Sequence, residues 1–132
     1  MNNKIHYLTQ SEFEKIQFDS NMKFVNINGS DICTWLDFWN AMSEGFSFPS
    51  LPDDWNADFY SYFDLMEDLD WITESGIVLI IKNFNDFFRT EPIQKEKEIN
   101  TLKDYILPFW EEDVEHVVVG GKKRSFNVYC VD

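Results

Sequence analysis

No lysine or arginine occurs between Lys23 and Lys82, a gap of 58 residues that nevertheless holds eleven carboxylates. These are Asp31, Asp37, Glu44, Asp53, Asp54, Asp58, Asp64, Glu67, Asp68, Asp70 and Glu74. A surface that is only solvated mixes signs, because interspersed bases relieve the self-repulsion of a compact one-sign body. Missing bases over nearly half of the chain therefore point to a strongly basic partner, which a uniform negative field attracts quickly while rejecting acidic competitors. The same field excludes nucleic acid and anionic membrane as partners, since both repel it.

Other things are scarce too. Two cysteines, Cys33 and Cys130, lie far apart with no cysteine or histidine at ligand spacing, which excludes a disulfide framework and a zinc site and predicts two buried, reduced thiols. No apolar run approaches the ~18 residues of a membrane span, and the opening MNNKIHYLTQSEFEKI has no apolar stretch of the signal type, so a cytoplasmic protein is expected. His6 and His116 stand alone, without a serine or cysteine arranged beside them, and no phosphate-cradling glycine loop is present. We expect no enzyme, no cofactor and no metal.

What is present is a folded body. Net charge is −13 with a pI near 4.4, but 17% of the 132 residues are aromatic, too many for a disordered acidic tail. A chain of this length buries roughly 65–70% of its unfolded surface in one core and is expected to be monomeric when free.

The sequence divides at about residue 21. Met1 to Asn21 reads as a polar extension in which Thr9 or Ser11 caps a helical turn holding Phe13 and Ile16. From 22 to 132 a single α/β domain is expected. Alternation over residues 23–28, ending at Gly29, predicts a strand. Ser30 or Asp31 then caps a helix with Ile32, Trp35, Leu36, Trp39 and Met42 inward and Gly45 closing it. Trp35 and Trp39 belong to the core on this reading.

A second helix puts Phe59, Tyr62, Phe63, Met66 and Leu69 on its apolar face and Asp58, Ser61, Asp64, Glu67 and Asp68 toward solvent. The unbroken apolar run Gly76-Ile77-Val78-Leu79-Ile80-Ile81 predicts a central strand covered on both faces. A third helix over about 95–110 has Ile99, Leu102, Ile106 and Phe109 inward and Lys95, Lys97 and Lys103 outward, and Pro108 should kink or end it. Two apolar runs near Val117–Val119 and Phe126–Val131, separated by Gly120-Gly121 and the bases Lys122, Lys123 and Arg124, predict a hairpin or bulged turn. Strand and helix alternate along the chain. That order predicts a small, mostly parallel three-stranded sheet packed by helices, with an extra C-terminal strand or hairpin.

The stretch Leu51-Pro52-Asp53-Asp54-Trp55-Asn56-Ala57-Asp58-Phe59-Tyr60-Ser61-Tyr62-Phe63-Asp64-Leu65-Met66-Glu67-Asp68-Leu69 resembles, without gaps, the loop and second helix of the barstar family, with its Leu-Pro, turn Gly, Asn and Trp-Asp-Cys-Leu run. Residues 25–29, 77–81 and 126–129 resemble that family's strands. Members inhibit barnase-like ribonucleases by plugging a cationic active site with that helix and loop. The resemblance implies that Asp64 stands for the central inhibitory aspartate, Asp58 for the preceding Asn and Phe63 for the Trp beside the aspartate. Asn56 takes the place of the turn Gly, a position Asn tolerates. Asp54 stands where the family has a contacting Tyr, Tyr60 where it has a second Asp, and Leu69 where an exposed Trp can occur.

An immunity or antitoxin-type inhibitor of a basic ribonuclease or nuclease toxin follows, binding through Asp53, Asp54, Trp55, Asp58, Tyr60, Ser61, Asp64, Glu67 and Asp68. Carboxylates fixed on a helix can occupy the phosphate positions of a ribonuclease cleft. Other readings stand beside it: an acidic module for a basic nucleic-acid-binding protein, a hydrolase using Asp58 with Glu67, or a divalent-metal site of Asp53, Asp54 and Asp58. Capping of the second helix also accounts for part of the acidity at Asp53, Asp54 and Asp58 without any partner, but not for Asp64, Glu67 or Asp68.

Overall fold

The computed structural model describes residues 2–51 and 56–132. Four strands, β1 (Ile5–Leu8), β2 (Met22–Asn28), β3 (Gly76–Lys82) and β4 (Ser125–Val131), form one sheet in the order β1-β4-β3-β2. All three pairings are parallel. β3 lies inside, with every residue from Gly76 to Ile81 buried, as its unbroken apolar run predicts.

Alternate residues of the strands feed two cores, because successive side chains leave a strand on opposite faces. One face presents Val25, Ile27, Ile77, Leu79, Ile81, Phe126, Val128 and Cys130 to the helices α2 (Trp35–Phe46), α3 (Phe59–Met66) and α4 (Pro92–Thr101). The other presents Val78, Ile80, Tyr129 and Val131, which pack against Leu8, Phe13, Ile16, Phe18 and Met22.

The α/β class and the parallel sheet agree with the sequence reading, but the extra strand comes from the other end. No hairpin precedes β4: residues Val114–Val117 form the short helix α5. Instead, the polar lead supplies β1, which pairs with β4 from Ile5↔Val128 to Leu8↔Val131. Thr9 then caps α1 (Gln10–Phe13) in a capping box with Glu12, as predicted, and the segment after it lies across the second sheet face.

Gly29 ends β2 as expected: a Cβ there would collide with the carbonyl oxygens of Asn83 and Lys82. The helix that follows starts later than predicted. Residues Gly29–Asp31 make a 3₁₀ turn, and Thr34 caps α2 in a capping box with Asp37. The later start rotates the buried face, so Phe38, Trp39, Met42 and Phe46 are inward and Leu36 is exposed. Gly45 is inside the helix, and Ser47 takes the left-handed closing position at φ 53°.

Pro108 does not end the third helical segment. Helical backbone continues from α4 through two wide, π-type stretches, Leu102–Ile106 and Phe109–Asp113, into α5. Proline removes one amide and crowds the preceding turn, and widening the register on either side lets the chain pass it. Cys33 is exposed, against expectation, because the 3₁₀ turn carries it out beside the Thr34 cap. Cys130 is buried as predicted, and burial pushes its thiol up to about 12.

Among the described residues no helix is long and apolar enough to cross a membrane.

Candidate functional site

Helix α3 carries the central predicted carboxylates, and its position is fixed at both ends. At the start, Asp58 accepts a hydrogen bond from the Ser61 amide at 2.9 Å, which holds its carboxyl below the usual range. Just ahead of the cap, Trp35 Nε1 donates to the Ala57 carbonyl at 2.8 Å. At the far end, Trp110 Nε1 donates to the Met66 carbonyl at 2.9 Å. Arg124 Nη2 donates to the Leu69 and Ile72 carbonyls at 3.1 and 2.9 Å. The Met66 carbonyl at the helix end lacks an intrahelical donor, so the Trp110 contact satisfies a group that otherwise needs water. Arg124 ties down the turn that follows, where the Leu69 carbonyl also accepts from the Ile72 amide. Leu69 adopts φ 50°, a left-handed conformation that costs a β-carbon residue on the order of 1–2 kcal/mol. Full burial of its side chain holds it there, and the position is thus internal rather than an exposed contact.

The buried stripe of α3 is Ser61, Tyr62, Leu65 and Met66. This corrects Ser61, which was expected at the surface but is only 7% exposed: it is small enough to sit beside Tyr62 under the first turn. Phe59 and Phe63 are correspondingly lifted to half-buried positions. Asp58, Tyr60, Asp64 and Asp68 are exposed, Glu67 is half-buried, and Asp53, Asp54 and Trp55 lie outside the described residues. Among the described residues the ion pairs are Arg89 with Asp86 and Lys123 with Glu115, so no base of the protein neutralises Asp58, Asp64, Glu67 or Asp68 at contact distance.

The carboxylates separate into two neighbourhoods. Partial burial raises Glu67 to about 7, reinforced by the charges of Asp64 and Asp113. Asp113 arrives from the second π-type stretch, so the acidic field is built by two helices. Sequence reasoning missed it because nothing in local pattern brings residues 64 and 113 together. Asp68 is raised by burial and by Asp70, and partly relieved by Arg124.

Arg124 follows Lys122 and Lys123 in the basic stretch expected to form a turn before the last strand. Its guanidinium instead turns inward, 4.8 Å from the Trp110 ring centre. Burial lowers its proton affinity more than Asp70, Glu74 and Asp68 raise it. Its value to the fold therefore lies in its two carbonyl hydrogen bonds and the ring contact rather than in ion pairing. A cavity of about 350 Å³ opens beside it, walled by Glu67, Asp68, Asp70, Trp110 and Val118.

Fold and site together define an acidic α/β domain whose helix, held at both ends, presents carboxylates that have no ion-pair partner among the described residues. The chain belongs to the barstar family: a family model described as Barstar (barnase inhibitor) matches residues 22–120. The match begins at β2, so β1 and the segment over the second sheet face precede it, and β4 follows it. No curated protein and no solved structure matches the chain.

Proposed function

We propose that this protein is an inhibitor of the immunity or antitoxin type that blocks a basic ribonuclease or nuclease toxin by seating α3 and the loop before it in the cationic active site. It acts in the cytoplasm as a monomer when free and performs no chemistry itself. The observation that carries this reading is Asp64: exposed, on a helix clamped at both ends, with no base in ion-pair contact among the described residues. Charge-assisted hydrogen bonds to Arg, Lys or His of a phosphate-binding cleft are about twice as strong as neutral ones, and a carboxylate carried on a helix already fixed in place has only its own side-chain freedom to lose in making them. Tyr60, 77% exposed, adds rigid contact area where the family has a second aspartate. Membership of a family of barnase inhibitors supports the same partner class.

The test is affinity and inhibition against barnase-type ribonucleases. Asp64→Ala should weaken binding by more than ~2 kcal/mol while leaving the melting temperature nearly unchanged, since the group is exposed. Association should slow far more than dissociation when salt rises from about 50 to 500 mM, as the Debye length shrinks to a few Å. A salt-independent on-rate would mean an apolar interface.

Glu67 supplies a second, pH-based expectation. With its carboxyl near 7, it gains charge as pH rises from about 6 to 8, so binding of a cationic partner should strengthen over that interval. Glu67→Gln removes the titrating group, so the variant should show a flatter profile against the same ribonuclease. Identical profiles for the two proteins would exclude Glu67 from the interface.

A further inference from the structure

Four aromatic rings run in contact across the surface between α3 and the first π-type stretch. Tyr60 and Phe59 meet edge to face at 5.9 Å, Phe59 and Phe63 lie 6.2 Å apart, and Phe63 meets Tyr105 edge to face at 6.0 Å. Both ends of the row are open to solvent, Tyr60 at 77% and Tyr105 at 60% exposure. Nothing in the fold requires Tyr105 to be there: it lies outside the buried set of its helix, which is Leu102 and Ile106. A row of contacting rings with two half-buried members and both ends exposed forms an apolar surface patch, and Tyr is among the residues most enriched at binding hot spots.

Acids stand along the α3 side of the row. Asp64 follows Phe63 in α3, Asp104 precedes Tyr105, and both are exposed, as is Lys103 beside Asp104. Glu67 lies one turn beyond Phe63, within the field of Asp113. Lys97 sits 4.3 Å over the Phe59 ring at the opposite edge. An apolar ridge inside a charged rim, with carboxylates along its α3 side and Lys97 and Lys103 on the other segment, matches the usual anatomy of an interface, with an apolar centre and a polar surround. Its charge also selects the occupant. A second copy of this chain carries the same net charge of −13 and would be repelled, whereas a basic protein gains at the rim what the rings gain at the centre.

We infer that the partner surface extends from α3 onto the helical segment after α4, with Tyr105 as an aromatic anchor against the apolar stems of basic side chains on a cationic protein. This inference rests on the inhibitor reading and enlarges its contact surface. Arginine and lysine suit such a ridge because their stems pack on rings while the cationic heads reach the acids around them. Phe63 meets the Tyr105 ring from one side, and Tyr has only two rotatable side-chain angles, so the entropy lost on binding is smaller than for a long flexible side chain.

The experiment measures affinity of the full chain for a barnase-type ribonuclease with Tyr105→Ala, Tyr105→Phe and Asp64→Ala in parallel, together with melting temperature and light scattering of each free protein. We expect Tyr105→Ala to bind about tenfold more weakly or worse at an unchanged melting temperature, and Tyr105→Phe to stay within about threefold of wild type. Loss in Asp64→Ala with none in Tyr105→Ala would overturn the inference and leave the inhibitor reading standing. No binding by the wild-type chain, or equal binding by all four proteins, would overturn both. A wild-type dimer that Tyr105→Ala dissociates would show the ridge to be covered by a second copy, and the inference would be wrong.

Discussion

Glu98→Gln should leave stability unchanged near pH 4 and raise it by about 3 kcal/mol at pH 9. Glu98 is 0% exposed, on α4. Gln94 Nε2 donates to one carboxyl oxygen at 2.9 Å, the other has no partner, and the Tyr62 hydroxyl, also buried, has none either. The Gln94 hydrogen bond and, to a smaller extent, the Lys97 charge lower its proton affinity somewhat, while burial and the neighbouring Glu98 hold the Tyr62 hydroxyl well above its ordinary value. Burial dominates and pushes the carboxyl from its ordinary 4.5 up to about 7.

Between those two values the folded protein holds a proton that the unfolded chain has released, so stability falls as pH rises. Below 4.5 both states are protonated and the effect vanishes. Above 7 the full cost is present, and at about 1.4 kcal/mol per tenfold change in proton affinity it comes to about 3 kcal/mol. Glutamine resembles the protonated form and carries no such cost. Thermal melts of the two proteins at pH 4, 6 and 9 check this, with a separation of roughly 10 °C expected at pH 9 for a chain of this size. Glu67 also titrates near 7 in both proteins, so only the difference between them reports Glu98. A less stable variant at pH 9 would mean that the Tyr62 hydroxyl donates to the ionised carboxylate.

How much of this was legible in the sequence depends on whether local pattern or distant pairing decides a residue's place. β3 announced itself because burial on both faces leaves an unbroken apolar run, and β2 because its polar residues alternate. β1 did not: four residues with His6 and Tyr7 in the middle carry no period, and only pairing with β4 makes them a strand. The phase of α2 was misplaced because Ser30 and Asp31 are plausible caps, yet they form a 3₁₀ turn and the capping box begins at Thr34. On α3, residue types alone identified the exposed Asp64 and Asp68 and the capping Asp58, while a rotation of the buried stripe by about one residue exchanged Ser61 for Phe63. Asp113, Tyr105 and Trp110 reach α3 from 40 or more residues away, and no spacing rule joins them to it.

Trp110 is the residue through which that distant segment fixes the site, and Trp110→Ala should lower stability by about 4 kcal/mol, within the range for deleting a buried aromatic. The indole is 3% exposed, meets Phe109 edge to face at 4.9 Å and supports the Arg124 guanidinium on its face. Its Nε1 supplies the hydrogen bond to the Met66 carbonyl at the end of α3. Trp110→Phe separates the two roles. Phenylalanine keeps most of the apolar volume but has no donor, so the cost should fall to about 1–3 kcal/mol, the penalty for a buried carbonyl left unpaired. In that variant the last turn of α3 is released while the core persists. Amides of residues 64–69 should then exchange with solvent faster, and affinity for a barnase-type ribonuclease should drop although no contacting side chain has changed, because Asp64 must be ordered again on binding. Urea unfolding, amide exchange and binding of the two variants check the sequence of effects. Full affinity in a Trp110→Phe protein with a loosened α3 would mean that the rigidity of this helix contributes nothing to recognition.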